Sequence, residues 1–377
     1  MRVLVTSMAA VGEPWTVLGS HPHVELATLS ASYVDCGEYG VSRPEPGATD
    51  HPAYTAPVFP THPYPYARYL RGVAPALREF RPDVIYAIGE PSELSVAQVT
   101  AIARRVAPQA KLALFSFENV HRDWRGFPKF LRGRAERATL PRLDLIIACT
   151  RGARKVLVER GYPAERIRVI PPAADPDRFF RRPAPELHAR LAPGVEFLVG
   201  YVGRLVHEKG IDLLLRALSR LPEGFALCLV GSGRDEEALR ALGEDIAPGQ
   251  VRWLGRMAPE NVAEHLRAFD ALVLPSRGIP TWQEQFGRVL VEGMMCGTPV
   301  VGSSSGAIPE VIGDAGLVFP EADADALAEC LRRLHDDEGM RASLTERGLA
   351  RAAAEFTPAA MVERTVAAFE ELLGATP

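Results

Sequence analysis

The sequence is short of the features that would assign it a special environment. Its five cysteines, Cys36, Cys149, Cys228, Cys296 and Cys330, are odd in number and widely scattered. No CxxC spacing occurs, so neither a zinc site nor a redox pair is indicated, and reduced, mostly buried thiols are expected. No apolar stretch approaches the roughly 18 residues that mark a membrane-crossing helix. The start, "MRVLVTS", runs straight into polar and turn residues, unlike a signal peptide, and a cytoplasmic protein is the expectation. A formal net charge of −4 gives no global attraction for polyanions. Nucleic acid is therefore not an expected partner. The glycines of "VGSGRDEEALRAL" lack a third at dinucleotide spacing, which argues against NAD.

What the chain does have is length and alternation. Its 377 residues, 47% of them hydrophobic, suit two domains, since single cores rarely grow far beyond about 250 residues. Short apolar runs rich in β-branched residues alternate with helical patterns, as parallel βαβ units do. Candidate strands are "RVLVTS", "VELATLS", "DVIYAI", "KLALFSF", "LDLIIACT" and "RIRVIPP" in the first half. In the second they are "FLVGYVG", "FALCLVG", "VRWLG", "ALVLPS", "TPVVGSS" and "GLVFP". The fold class is α/β: a doubly wound domain over 1–175, a proline-rich linker over 176–195, a second such domain over 196–356, and a terminal segment 357–377. In that segment Thr357 and Pro358 open a helix that crosses back to the first domain. Two open sheets facing each other would enclose a ligand cleft at the carboxyl ends of their strands.

The stretch "TWQEQFGRVLVEGMMCGTPVV" places Glu284 and Glu292 on either side of a helix start expected near Phe286. They stand eight positions apart, roughly 12 Å along a helix at about 1.5 Å per residue. That exceeds the roughly 5 to 9.5 Å over which two carboxyl groups act on one glycosidic bond. Such a pair suits the two ends of an extended, hydroxyl-rich ligand, with the amides of Phe286 and Gly287 offering an anion site between them. A nucleotide sugar has that form: ribose at Glu292, diphosphate at the helix start, transferred sugar at Glu284. The plainer reading is two solvated helix-end charges. "YVGRLVHEKGIDLLLRAL" adds Arg204 and Lys209 in a loop before another helix, where they can hold a diphosphate and stabilise it as it leaves.

With "GRLVHEKGIDLLL", "LVGSGRDEEALRAL", "VRWLGRM", "LVLPS" and "EQFGRVLVEGMMCGTPVVGSSSGAIPEVIGDAGLVF", most of residues 197 to 320 resembles glycosyltransferase family 4. The resemblance implies the GT-B fold of two Rossmann-like domains and a retaining transfer from a UDP- or GDP-linked sugar, with no cofactor and no obligatory metal. It implies that Glu284 contacts the donor sugar, Glu292 the ribose, and Arg204 and Lys209 the diphosphate. Phe286, Gly287, Arg288 and Val289 would contact sugar and phosphate, and Arg256 would border the base. The first half departs from the pattern. Gly12 stands alone in "SMAAVGEPW" where relatives often carry adjacent glycines, and "FSFENVHRDW" has His121 followed by Arg122 instead of Asp. Gly12, Asn119 and His121 are the substrate-binding candidates there. The acceptor stays unidentified. The proline- and aromatic-rich residues 43–70 read as an ordered loop that could lid it, and the basic segment 122–142 as a solvated helix face or as a site for an anionic acceptor or the inner membrane face. Alternatives on a similar scaffold are a sugar-nucleotide epimerase or hydrolase, or a non-catalytic sugar-nucleotide binding protein.

Overall fold

The computed structural model describes residues 1–11, 15–37, 41–44 and 49–374, so the candidate Gly12 lies outside the described residues. The chain forms two compact units, one of Met1–Pro172 with the segment from Pro358 onward, the other of Ala173–Thr357.

The first unit is built on β1 (Arg2–Ser7), β2 (Glu25–Ala31), β3 (Ala53–Ala56), β4 (Val84–Ile88), β5 (Lys111–Ser116), β6 (Leu145–Ala148) and β7 (Ile167–Val169). All neighbours pair in parallel, in the order β7-β6-β5-β4-β1-β2-β3. The central strands are buried on both faces, which is why they read as nearly unbroken apolar runs. Helices α1 (Val73–Phe80), α2 (Leu94–Val106), α3 (Lys129–Thr139) and α4 (Arg151–Glu159) follow the strands. Thr150 caps α4 by accepting the Ala153 amide at 3.2 Å.

One difference from the sequence reading is β3. Residues 43–70 were expected as a loop, yet "AYTA" adds a parallel strand at the sheet edge and buries Ala56. Val58–Phe59 and Arg68–Tyr69 then form a short antiparallel pair. The prolines flank these pieces instead of interrupting them, as edge positions allow.

The second unit contains β8 (Phe197–Val202), β9 (Phe225–Val230), β10 (Val251–Gly255), β11 (Ala271–Leu274), β12 (Val300–Ser303) and β13 (Gly316–Phe319). Their order, β10-β9-β8-β11-β12-β13, is again all parallel. The helices are α5 (Pro185–Leu191), α6 (Ile211–Leu218), α7 (Glu236–Ile246), α8 (Pro259–Ala268), α9 (Arg288–Cys296), α10 (Ile308–Ile312), α11 (Ala324–Asp336) and α12 (Glu338–Glu355). Residues 176–195, expected as a linker, fold with this unit. Pro185 opens α5 at a first-turn position where no amide hydrogen is needed.

The last helix, α13 (Pro358–Leu373), folds with the first unit. Phe369 packs edge-on against Tyr86 of β4 at 5.1 Å, and Glu371 meets Arg168 at 2.5 Å. Among the described residues, no helix is long and apolar enough to cross a membrane.

Candidate active site

The carboxyl ends of β8, β11 and β12 bring together four separated stretches of the second unit. Gly210 adopts φ +69°, and a Cβ there would lie 2.0 Å from the Pro275 carbonyl oxygen. Only glycine lets the turn after Lys209 press against the end of β11 in this way. On the other side, Gly306 (φ +53°) has no room for a Cβ, which would sit 2.2 Å from the Glu284 carbonyl oxygen. The Ala307 amide donates to that same carbonyl at 3.0 Å.

These close approaches fix Lys209 against Glu284. Lys209 Nζ donates to Glu284 Oε2 at 2.5 Å, and Ser276 Oγ donates to the same oxygen at 2.7 Å. Ser276 is itself held by Ser303, whose Oγ donates to the Ser276 carbonyl at 2.5 Å. Glu284 is only 6% exposed. The plainer expectation of a solvated helix-end charge does not describe it. A carboxylate this buried needs charge-assisted partners, and the lysine and serine supply them.

Arg204 lies in the same loop system. Its guanidinium stands 3.8 Å from Glu208 Oε1, while Arg234 contacts Glu208 Oε2 at 3.0 Å. Buried Glu208 thus sits between two arginines, and its carbonyl accepts the Arg277 amide at 2.9 Å. Arg277 also pairs with Asp212 on α6.

Helix α9 begins at Arg288, two residues later than the sequence suggested, because Gly287 turns left-handed at φ +82°. Phe286 faces inward and packs on Phe356 at 5.8 Å, so its backbone, not its ring, is what it can offer a ligand. Val289 is half-buried. Glu292 is one turn inside the helix, 3.2 Å from the exposed Arg288. Burial pushes its carboxyl up, with Arg288 and then Arg178 opposing the shift. Arg256 is exposed just past the end of β10.

In the first unit, half-buried Asn119 and exposed His121 follow β5. His121 Nε2 meets Glu159 of α4 at 2.6 Å, an exposed pair. Beside them lies a group that sequence reasoning missed. Glu90, after β4, accepts from Ser116 Oγ at 2.5 Å and from the Phe117 amide at 2.8 Å. Desolvation and the neighbouring Glu118 push its carboxyl up to about 8. Glu93 is raised to about 7 by burial, against the pull of Arg132. Glu118 accepts Arg122 Nε on both oxygens at 3.0 Å. Three isolated glutamates form no motif, so nothing in the sequence signalled that β4 and β5 would converge them.

The family model for "Glycosyl transferases group 1" matches residues 185–351, and the model for "Glycosyl transferase 4-like domain" matches residues 5–173. The chain belongs to the family-4-type glycosyltransferases. It is 33% identical over 258 residues to the D-inositol 3-phosphate glycosyltransferase of Corynebacterium jeikeium, covering 63% of this chain and 59% of that protein. Over 168 residues it is 38% identical to the GDP-mannose-dependent monoacylated alpha-(1-6)-phosphatidylinositol monomannoside mannosyltransferase of Corynebacterium glutamicum, covering 43% of this chain and 44% of that one. The chain spans about half the length of the curated relatives it matches.

The GT-B fold is shared with solved glycosyltransferases. HepE of Anabaena, in complex with UDP, superposes with a TM-score of 0.77 at 19% identity, over 98% of this chain and all of the other. WaaG, a glycosyltransferase of lipopolysaccharide biosynthesis, gives 0.68 at 19% identity over 99% and 100%.

Within this glycosyltransferase-family chain, Ser276 ends "LVLPS" and Glu208 lies in "HEKG", yet neither stands out from the sequence as a site residue. Their signal is spatial: each is the buried partner of a motif residue. Among the described residues no group of three or more His, Cys, Asp or Glu side chains is arranged to hold a metal ion.

Proposed function

We propose that the chain transfers a sugar from a nucleoside-diphosphate sugar to an acceptor hydroxyl with retention at the anomeric carbon. The observation that carries this reading is the buried constellation of Lys209, Glu284 and Ser276 beside Arg204, at the carboxyl ends of β8 and β11. Its cations suit a diphosphate, and its carboxylate suits sugar hydroxyls. In the step proposed, the bond from the anomeric carbon to the phosphate oxygen breaks, and the bond to the acceptor oxygen forms on the same face. The acceptor proton passes to the departing phosphate oxygen. Lys209 and Arg204 stabilise the charge that develops on the diphosphate, Glu284 orients the sugar, and Glu292 holds the ribose with Arg288 displaced from it. Phe286 to Val289 offer backbone contacts, and Arg256 borders the base.

The names of the relatives include GDP-mannose, and a solved neighbour holds UDP, so both donor classes are tested. Thermal shift with UDP- and GDP-linked sugars identifies the donor, since a bound ligand stabilises the native state. Mass measurement after incubation with an acceptor panel then decides. A sugar added to acceptor is expected; conversion of donor alone would point to an epimerase or hydrolase, and intact donor to a binding protein.

For the acceptor side we propose peripheral contact with the cytoplasmic face of an anionic membrane through residues 122–142. Phe127, 84% exposed, stands 6.0 Å from Phe130, with Arg125, Lys129, Arg134 and Arg137 exposed around them. Apolar rings flanked by cations suit an anionic lipid surface. Sedimentation with phosphatidylglycerol vesicles, but not with phosphatidylcholine vesicles, is expected. Binding unchanged in Phe127→Ser/Phe130→Ser would remove this contact.

A further inference from the structure

The loop between β11 and α9 carries Trp282 to Lys209. Lys209 Nζ stands 4.8 Å from the centroid of the indole, within the roughly 6 Å over which a ring face attracts a cation. The loop is built to hold that ring. Its first residues are tied to three other elements: the Ser276 carbonyl to Ser303 Oγ, the Arg277 amide to the Glu208 carbonyl, and the Gly278 amide to Glu321. At its tip, Ile279 and Trp282 exchange backbone hydrogen bonds of 2.8 and 3.1 Å across Pro280 and Thr281. Trp282 is therefore a fixed, half-buried wall and not a ring on a loose tether.

An ammonium has three donors on a flexible stem. In Lys209 one donor goes to Glu284, and the indole covers another side of the group.

We propose that Trp282 is a positioning residue for Lys209, holding its ammonium so that the remaining donor addresses the distal phosphate of the nucleoside diphosphate. The proposal rests on the donor-site reading above and adds to it a residue that touches no phosphate. Because an aromatic face and not bulk supplies the attraction, phenylalanine substitutes for the indole and leucine does not.

The experiment is calorimetric titration of UDP and GDP into wild type, Trp282→Phe, Trp282→Leu and Trp282→Ala. Whichever diphosphate binds wild type should bind Trp282→Leu and Trp282→Ala about tenfold more weakly, as loss of a cation–π contact near 1.4 kcal/mol implies. Trp282→Phe should keep most of the affinity. The matching nucleoside monophosphate, which lacks the distal phosphate, should bind all four alike. In a Lys209→Met background, Trp282→Ala should add no further loss, since residues acting through one another are not additive. Equal affinities for the Leu and Phe variants, equal losses for mono- and diphosphate, or additive losses with Lys209→Met each overturn the proposal. The Phe-to-Leu comparison decides even where Lys209→Met does not fold. Failure of wild type to bind either diphosphate overturns the donor-site reading itself, and is distinguishable because it precedes any substitution.

Discussion

The two units share an architecture and handle charge differently at the carboxyl ends of their strands. In the second, carboxylates meet cations: Glu284 with Lys209, Glu208 with Arg204 and Arg234, Asp212 with Arg277, Glu292 with Arg288. In the first, Glu118 also holds a cation, Arg122, but Glu90 and Glu93 are raised toward the neutral form, chiefly by burial. Cations already present can turn to an incoming diphosphate. Carboxyls that burial turns toward the neutral form, as at Glu90 and Glu93, offer a diphosphate no such partner. The comparison teaches that a doubly wound scaffold does not decide its ligand; the side chains at the strand ends do.

The strongest way to break this contrast is at Lys209. Lys209→Ala should lower transfer by at least about an order of magnitude, and should also lower the melting temperature, because it leaves Glu284 buried beside Ser276 without its cation. Turnover and melting measured on the same preparation check both parts, and unchanged values would remove the pair from the site. Next in size, Glu292→Gln should weaken free nucleoside diphosphate and intact donor together by roughly tenfold, the effect of losing a hydrogen bond to a charged group. Glu284→Gln should spare the free diphosphate and impair transfer. Equal losses of diphosphate affinity in the two variants would contradict a grip at two ends.

A smaller effect sharpens the contrast from the other unit. The Glu90 carboxyl is raised to about 8, above its ordinary value. Its neutral form is favoured by folding, so the stability it lends is present below the ordinary carboxylate range and is lost as pH rises through about 8. Wild type should therefore lose stability between about pH 5 and 8, and Glu90→Gln should lose less, with donor affinity unchanged. Parallel pH profiles for the two proteins in chemical denaturation would contradict this. Smallest of all, His121→Ala should change stability by no more than about 1 kcal/mol, since the pair with Glu159 is exposed, and should leave diphosphate affinity untouched.

How much of this was legible in the sequence follows from the same contrast. All six strands of the second sheet were readable: four are buried apolar runs closed by turns, and the half-buried edge strands, β10 and β13, still carry a valine and an aromatic ring. Glu284 and Lys209 were readable as motif residues, but their direct bond was not, since 75 positions separate them and only the close approaches at Gly210 and Gly306 bring them together. The strand at Ala53–Ala56 was hidden by prolines that turned out to flank it. The start of α9 was misplaced by two residues because a glycine's left-handed turn leaves no apolar signature. Glu90, Glu93 and Glu118 were invisible for a deeper reason: a carboxylate's meaning depends on which other carboxylates the topology sets beside it.

The helix that closes the first unit is made long after the body it completes. Everything from Ala173 to Thr357 is synthesised between the body of that unit and α13. At about 5 to 20 residues per second this is an interval of roughly ten to forty seconds. Throughout it, Tyr86 in the central strand lacks the ring of Phe369 that packs against it in the finished fold. The second unit can complete itself as it emerges, whereas the first must wait, with an apolar seam open, for a piece encoded beyond its neighbour. A nascent chain arrested just before Pro358 should accordingly show a protected second unit and a first unit still open to protease.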